Sequence, residues 1–178
     1  MTGLSYSHID SPAGRLLVAG DYKALHYLSF PGGHKAFGPK AGWHPSDKPF
    51  AEVRRQLAAY FAGERQQFDL PLHLSGTAFQ NSVWRYLAHI PFGETRTYGQ
   101  LAAALGSPRA SRAVGAANGA NPIPIILPCH RVIGSNGALT GFGGGLATKD
   151  LLLRHEAAVS GATNGQLSLF GERFSSLG

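Results

Sequence analysis

Glycine and proline interrupt this chain so often that only short elements can form between them. The 178 residues hold 24 glycines and 11 prolines. Each proline removes a backbone donor, and each glycine readily takes up turn conformations. Helices are therefore expected to be few or short, and turns many. The length suits one domain or two small ones, and an apolar share of 43% is enough for a packed core. No apolar stretch of about 20 residues runs free of Pro and Gly, so no membrane span is expected. Met1 to Ile9 has neither the basic lead nor the apolar run of a signal peptide.

The chain has one cysteine, Cys129. A single thiol rules out an internal disulfide framework and a zinc site built from several cysteines. It suits a reducing compartment, and a cytoplasmic protein is expected. His8, His26, His34, His44, His73 and His89 show no ligand spacing, so no metal site is expected. The glycines at 141–145 lack the lysine of a phosphate-binding loop.

The net charge is +6, unevenly spread. Residues 1–76 carry eight basic and six acidic side chains, and residues 77–178 carry eight and four. No acid stands between Glu94 and Asp150, and Arg96, Arg109, Arg112 and Arg131 fall in that gap. An acid-free stretch with spaced arginines fits a surface that meets phosphates, although ordinary basic surfaces are common.

Turn residues divide the chain into elements. Ser11-Pro12-Ala13-Gly14 separates Tyr6 to Ile9 from Arg15 to Ala19, and Gly20-Asp21 leads to Ala24 to Phe30, which reads as a three-stranded meander. Pro31 to Pro49 reads as loop. Phe50, Val53, Leu57, Tyr60 and Phe61 keep helical spacing before Gly63. Phe68, Leu70, Leu72 and Leu74 alternate, which suits a strand or an extended segment, at an edge given Pro71. Ser75-Gly76 marks a boundary between a domain at 1–76 and a second at 77–160. Thr77 with Gln80 and Thr97 with Gln100 form capping boxes that open two helices, and Pro91 stops the first. Gly106 ends the second. Ser107-Pro108 then starts a helix running to Asn118-Gly119, giving a candidate helix-turn-helix. Ala110, Ala113, Val114 and Ala117 of that helix are expected to face the core. Its remaining surface is so small-sided that it fits either a minor groove about 6 Å wide or another helix.

Asn121 to Pro128 contains three prolines, so an extended, stiff segment is expected to deliver Cys129-His130-Arg131-Val132. Neighbouring cations or donors would lower the thiol pKa. On a strand, however, His130 and Cys129 would point to opposite faces, so His130 would act through a turned backbone or a bridging water. Thr148 is expected to cap a last helix from Lys149 to about Ala157. Glu156 near its end is disfavoured by the helix dipole, so it is either a surface carboxylate at a frayed end or one offset by a partner such as His130. The tail at 161–178 is rich in Gly and Ser and is expected to be mobile, apart from Leu167 to Phe170.

Pro128-Cys129-His130-Arg131-Val132 resembles the active-site motif of the O6-alkylguanine-DNA alkyltransferases. Tyr98-Gly99-Gln100-Leu101-Ala102, Ser111-Arg112-Ala113-Val114-Gly115, Asn121-Pro122 and Leu152-Leu153-Arg154-His155-Glu156 fall in that family's order and spacing. The resemblance is strong over about 78–158 and looser before it. It implies an α+β protein. A small ribonuclease-H-like N-terminal domain with a β-meander and helix would precede a mostly helical, winged-helix-like DNA-binding domain. The implied activity is single-turnover transfer of a methyl or other alkyl group from guanine O6, and also thymine O4, to the protein's own cysteine. The resemblance implies Cys129 as nucleophile, His130 and Glu156 as its activating relay, and Tyr98 as proton donor. Asn121 would brace the turn, and Arg112 would fill the gap left by a flipped base. Ser107, Arg112, Ser135 and Tyr98 would meet duplex DNA in the minor groove. Tyr98, Val132, Phe142, Gly143 and Gly144 would line the alkyl pocket. Phe142 and Gly143 stand where relatives often have a tyrosine and a small or hydroxyl residue. No cofactor and no metal are implied, and a monomer is expected, with cooperative binding along DNA left open. Three other functions compete. A damage-binding module without transfer is disfavoured by Cys129, a transcriptional regulator by the lack of a further domain, and a cysteine hydrolase by the adjacent Cys-His geometry.

Overall fold

Ser11 and Gly14 build the first hairpin turn. The Ser11 hydroxyl accepts from Ala13 N (3.1 Å) and donates to Gly14 O (2.7 Å). Gly14 has φ +97°, which a side chain would strain. In the computed structural model, which describes residues 3–161, this turn joins strand β1 (Ser5–Ser11) to β2 (Gly14–Gly20), and β3 (Leu25–Ser29) completes an antiparallel meander. A two-residue strand, β4 (His44–Pro45), adds in parallel to the free edge of β1, giving the order β3-β2-β1-β4. Helix α1 (Ala51–Phe61) presents Val53, Leu57 and Tyr60 to the core.

Phe68 to Leu74 pack on that core without forming a strand. Only Leu72 makes a bridge, to Leu25. Leu25 N donates to Pro71 O and His73 N donates to Leu25 O, and Pro71 has no N–H to continue the ladder.

Both capping boxes are present. They open α2 (Ala78–Leu87) and α3 (Tyr98–Ala104). Helix α2 ends four residues before Pro91, in a turn that buries Ile90. The next helix begins later than Ser107-Pro108 suggests. Residues 107–110 form a separate turn closed by Ala110 N to Ser107 O (2.8 Å), and α4 spans Ser111–Gly119 with no side-chain cap. Val114 and Ala117 face the core as expected, but Ala113 is exposed and Asn118 is buried in its place. Trp84 of α2 donates its indole N–H to Ala117 O (2.8 Å), locking α2 against α4. Strands β5 (Arg96–Thr97) and β6 (Val132–Ile133) pair in parallel. The last helix, α5 (Leu146–Ser160), starts two residues before Thr148, after Gly145 at φ +92°. The architecture is a sheet domain followed by a helical domain, as expected. Among the described residues no helix is long and apolar enough to cross a membrane. Leu167 to Phe170 lie outside the described residues.

Candidate active site

The segment before Cys129 is coiled rather than extended. Pro122, Pro124 and Pro128 forbid a regular helix, yet Ile125 turns the chain by taking φ +74° while buried. A left-handed β-branched residue costs about 1–3 kcal/mol and persists only when its surroundings enforce it. Here Leu127 N donates to Ile123 O (3.0 Å). Asn121 braces both ends, accepting from Ile123 N (3.0 Å) and donating to Leu127 O (2.7 Å). Cys129–Arg131 then form one 3-10 turn, not a strand, so the opposite-face expectation for Cys129 and His130 does not apply. Asn118 of α4 fixes this turn by donating to Cys129 O (3.3 Å).

The turn drives His130 and Arg131 onto one carboxylate. His130 Nε2 lies 2.7 Å from Glu156 Oε1. Arg131 donates Nε to Oε2 (2.9 Å) and Nη2 to Oε1 (2.8 Å), while its Nη1 reaches Ile90 O (2.6 Å). Tyr60 of α1 donates its hydroxyl to the same Oε1 (2.8 Å), and Gly93 N donates to Oε2 (3.3 Å). Burial works against the Glu156 charge, but His130 and Arg131 outweigh it and hold the carboxyl well below the usual range. Glu156 is therefore a carboxylate that only accepts, so His130 carries its proton on Nε2 and leaves Nδ1 as the basic atom. Nδ1 has no partner among the described residues. Burial lowers the His130 pKa against the pull of Glu156, keeping the ring neutral and ready to take a proton.

Cys129 departs from the sequence reading. Burial pushes its thiol up to about 11, opposed by an Asn121 hydrogen bond and the Lys149 charge. The adjacent cations do not expose a thiolate, because Arg131 is spent on Glu156 and His130 is neutral. For this thiol to act as a nucleophile, its proton would have to be removed.

Lys149, Tyr60 and Asn118 are the site residues that sequence reasoning missed. Lys149 is fully buried and donates Nζ to Val132 O (2.6 Å) and Thr140 O (2.9 Å), tying the loop before α5 to β6. Burial lowers its pKa to about 8, opposed by Cys129. The signal was present: Lys149, Leu152, Leu153 and Glu156 share one helical stripe, so two charges sit on an apolar face.

A cavity of about 210 Å³ opens onto Cys129. Phe142, Gly143 and Gly144 line it, together with Lys35 and Phe37 of the first domain. Tyr98 and Val132 do not line it. Val132 is buried in the core, and Tyr98 lies against Gly115 of α4 with its hydroxyl accepting from Thr140 (3.3 Å). Gly144 is required by close approach, since a Cβ there would stand 2.5 Å from Phe30 Cδ2. Gly144→Ala is expected to destabilise the fold by about 1–3 kcal/mol, read as a lower urea midpoint, because the Phe30 ring must shift.

Ser107, Arg109, Arg112 and Ser135 are exposed, the first three on the turn and start of α4. Arg131 is buried and Arg96 is paired with Glu94, so Arg109 and Arg112 are the arginines of the acid-free stretch left for an outside anion.

Comparison with known proteins places these features in context. Residues 4–74 match the ribonuclease-like domain of 6-O-methylguanine DNA methyltransferase, and residues 78–158 match its DNA binding domain. A methylated-DNA–protein-cysteine methyltransferase of Methanosarcina acetivorans is 52% identical over 153 residues, covering 86% of this chain and 98% of that protein. The Mycobacterium tuberculosis protein of the same name is 48% identical over 168 residues, 94% and 99% of the two chains. The crystal structure of Mycobacterium tuberculosis O6-methylguanine methyltransferase superposes with a TM-score of 0.82 at 48% identity, covering 94% of this chain and 99% of that one. That of Mycobacterium tuberculosis OGT in complex with DNA also reaches 0.82, covering 87% and 94%.

Proposed function

The chain belongs to the 6-O-methylguanine DNA methyltransferase family, and from that premise we propose that it repairs DNA by moving an alkyl group from guanine O6 onto Cys129, once per molecule. The observation that carries this reading is a buried thiol at the floor of a cavity, followed directly by a histidine whose free ring nitrogen is set by a carboxylate.

The reaction balances without a cofactor. His130 Nδ1 takes the thiol proton through a bridging water. The sulfur forms a bond to the alkyl carbon, the carbon–O6 bond breaks, and its electron pair stays on guanine. Guanine recovers a proton from Tyr98, which is replenished from solvent. The product is a stable thioether, so the protein is consumed. Thymine O4, which offers the same alkyl–oxygen bond, is a second substrate.

A base inside the stack cannot reach a buried sulfur, so it must leave the duplex, at a cost of a few kcal/mol. Arg112 enters the gap, while Ser107, Ser135 and Tyr98 meet the minor-groove side of the duplex. The exposed small residues Ala113 and Ala116 of α4 allow that close approach. The protein acts as a monomer in the cytoplasm, where a lone thiol stays reduced.

Intact mass after incubation with methylated-guanine duplex tests the reading. One methyl gained in place of the thiol hydrogen, located on Cys129, supports it, whereas unchanged mass with DNA bound overturns it. For the wedge, Arg112→Ala is expected to slow transfer from duplex about ten- to a hundredfold and from a free alkylguanine base hardly at all, since only the duplex pays for flipping. Equal losses on both substrates would remove that role.

A further inference from the structure

The relay in the second domain is completed by a residue of the first. Tyr60 sits on α1, fully buried and boxed by Phe61, Phe68, Phe92 and His155, with ring centroids 5.0 to 5.9 Å away. His155 Nε2 holds its backbone carbonyl (2.8 Å). Its hydroxyl meets the very oxygen of Glu156 that His130 uses. We propose that Tyr60 is a positioning residue through which the first domain sets how readily His130 accepts the thiol proton. This rests on the reading of His130 as the base.

A donor on Oε1 withdraws charge from that oxygen and weakens its pull on the His130 N–H. The ring is then less basic and stays neutral to lower pH. Burial and the Glu156 charge raise the Tyr60 pKa well above 10, so it remains a donor throughout the neutral range. The charged or titratable groups acting on His130 are Glu156, Arg131 and Lys149, with Cys129 as the acid it serves. Those acting on Glu156 are His130, Arg131 and Tyr60.

The test is the pH profile of single-turnover transfer from free O6-benzylguanine, which needs no base flipping. The wild type loses rate on the acid side as His130 is protonated. Tyr60→Phe is expected to move that acid limb upward by about half to one pH unit, because Glu156 then binds the imidazolium more strongly. Tyr60→Leu, which also loses packing, should move it similarly while lowering the urea midpoint further. A lowered midpoint with an unmoved acid limb in both variants means a structural role only and overturns the proposal. A wild type that transfers nothing overturns the functional reading itself.

Beyond the described residues the chain carries an independent signal. Residues 162–178 hold one acid, Glu172, and one base, Arg173, so they lack the charge of a DNA-binding arm. The match to the DNA binding domain stops at 158. Within this stretch stand Gln166-Leu167-Ser168-Leu169-Phe170, a glutamine followed by three large apolar side chains in four positions. Isolated apolar anchors in a polar, weakly charged stretch are how short peptides hold a groove. We infer that Gln166 to Phe170 docks into an apolar cleft of a protein that is itself held on DNA, with the Gln166 amide hydrogen-bonded at the cleft's edge. Such a tether raises the local concentration of the reactive domain at the duplex without new DNA contacts.

The probe is the ring-shaped sliding clamp that holds replicative polymerases on DNA, mixed with the full chain and followed by fluorescence anisotropy. Saturable binding that falls at least about tenfold in Leu169→Ala/Phe170→Ala, with transfer on a short oligonucleotide unchanged, supports the proposal. No binding to the clamp, equal binding by the double variant, or binding of a 162–178 peptide to lipid vesicles instead of the clamp overturns it.

Discussion

Cys129→Ser is expected to leave no measurable alkyl transfer while duplex binding stays within about threefold of wild type, because a buried side chain makes no phosphate contact. The asymmetry follows from the chemistry. A neutral His130 can take a proton from a thiol held near 11 by burial, but a serine hydroxyl is far less acidic and a weaker nucleophile. Intact mass reads the transfer, and fluorescence anisotropy with labelled duplex reads the binding. Residual transfer at even a hundredth of the wild-type rate would mean that another atom accepts the alkyl group.

Glu156→Gln is expected to have the second largest effect, on stability and rate together. The carboxylate is buried against Arg131, His130, Tyr60 and Gly93. Removing its charge strands the Arg131 guanidinium inside the fold, a loss of about 3–5 kcal/mol for one partner of a buried pair. Transfer should slow by about a hundredfold, since the His130 proton position is no longer dictated. The pH dependence has a definite sign. Glu156 is depressed in the folded protein, so its contribution is fully present above the usual carboxylate value near 4.5 and is lost as pH falls below it. Urea midpoints for wild type should therefore drop on acidification below that value, and Glu156→Gln should show a shallower drop.

Much of this was legible in the sequence, for local reasons. The meander, both capping boxes and α1 rest on turn chemistry and spacing confined to a few residues, such as Thr77 with Gln80. The pairing of His130 with Glu156 was suggested by a carboxylate at an unfavourable helix end. What stayed hidden depends on contacts distant in sequence. Nothing near Tyr60 announces that its hydroxyl meets a carboxylate 96 residues later. The proline-rich run read as extended because three prolines exclude a helix, yet the buried left-handed Ile125 was the residue that decided the path. Arg131 looked like surface charge because its partner lies in another element. The thiol pKa is hidden for the same reason: burial, which the whole fold creates, outweighs the neighbours in sequence.

The solitary thiol also makes the molecule its own tally. With one cysteine in 178 residues, and Cys129 the proposed acceptor, each repair event would remove the only free sulfhydryl. In denatured protein, the ratio of remaining sulfhydryl to total chain then counts unused molecules directly. A population of this protein drawn from cells would record, chain by chain, how many lesions it had met.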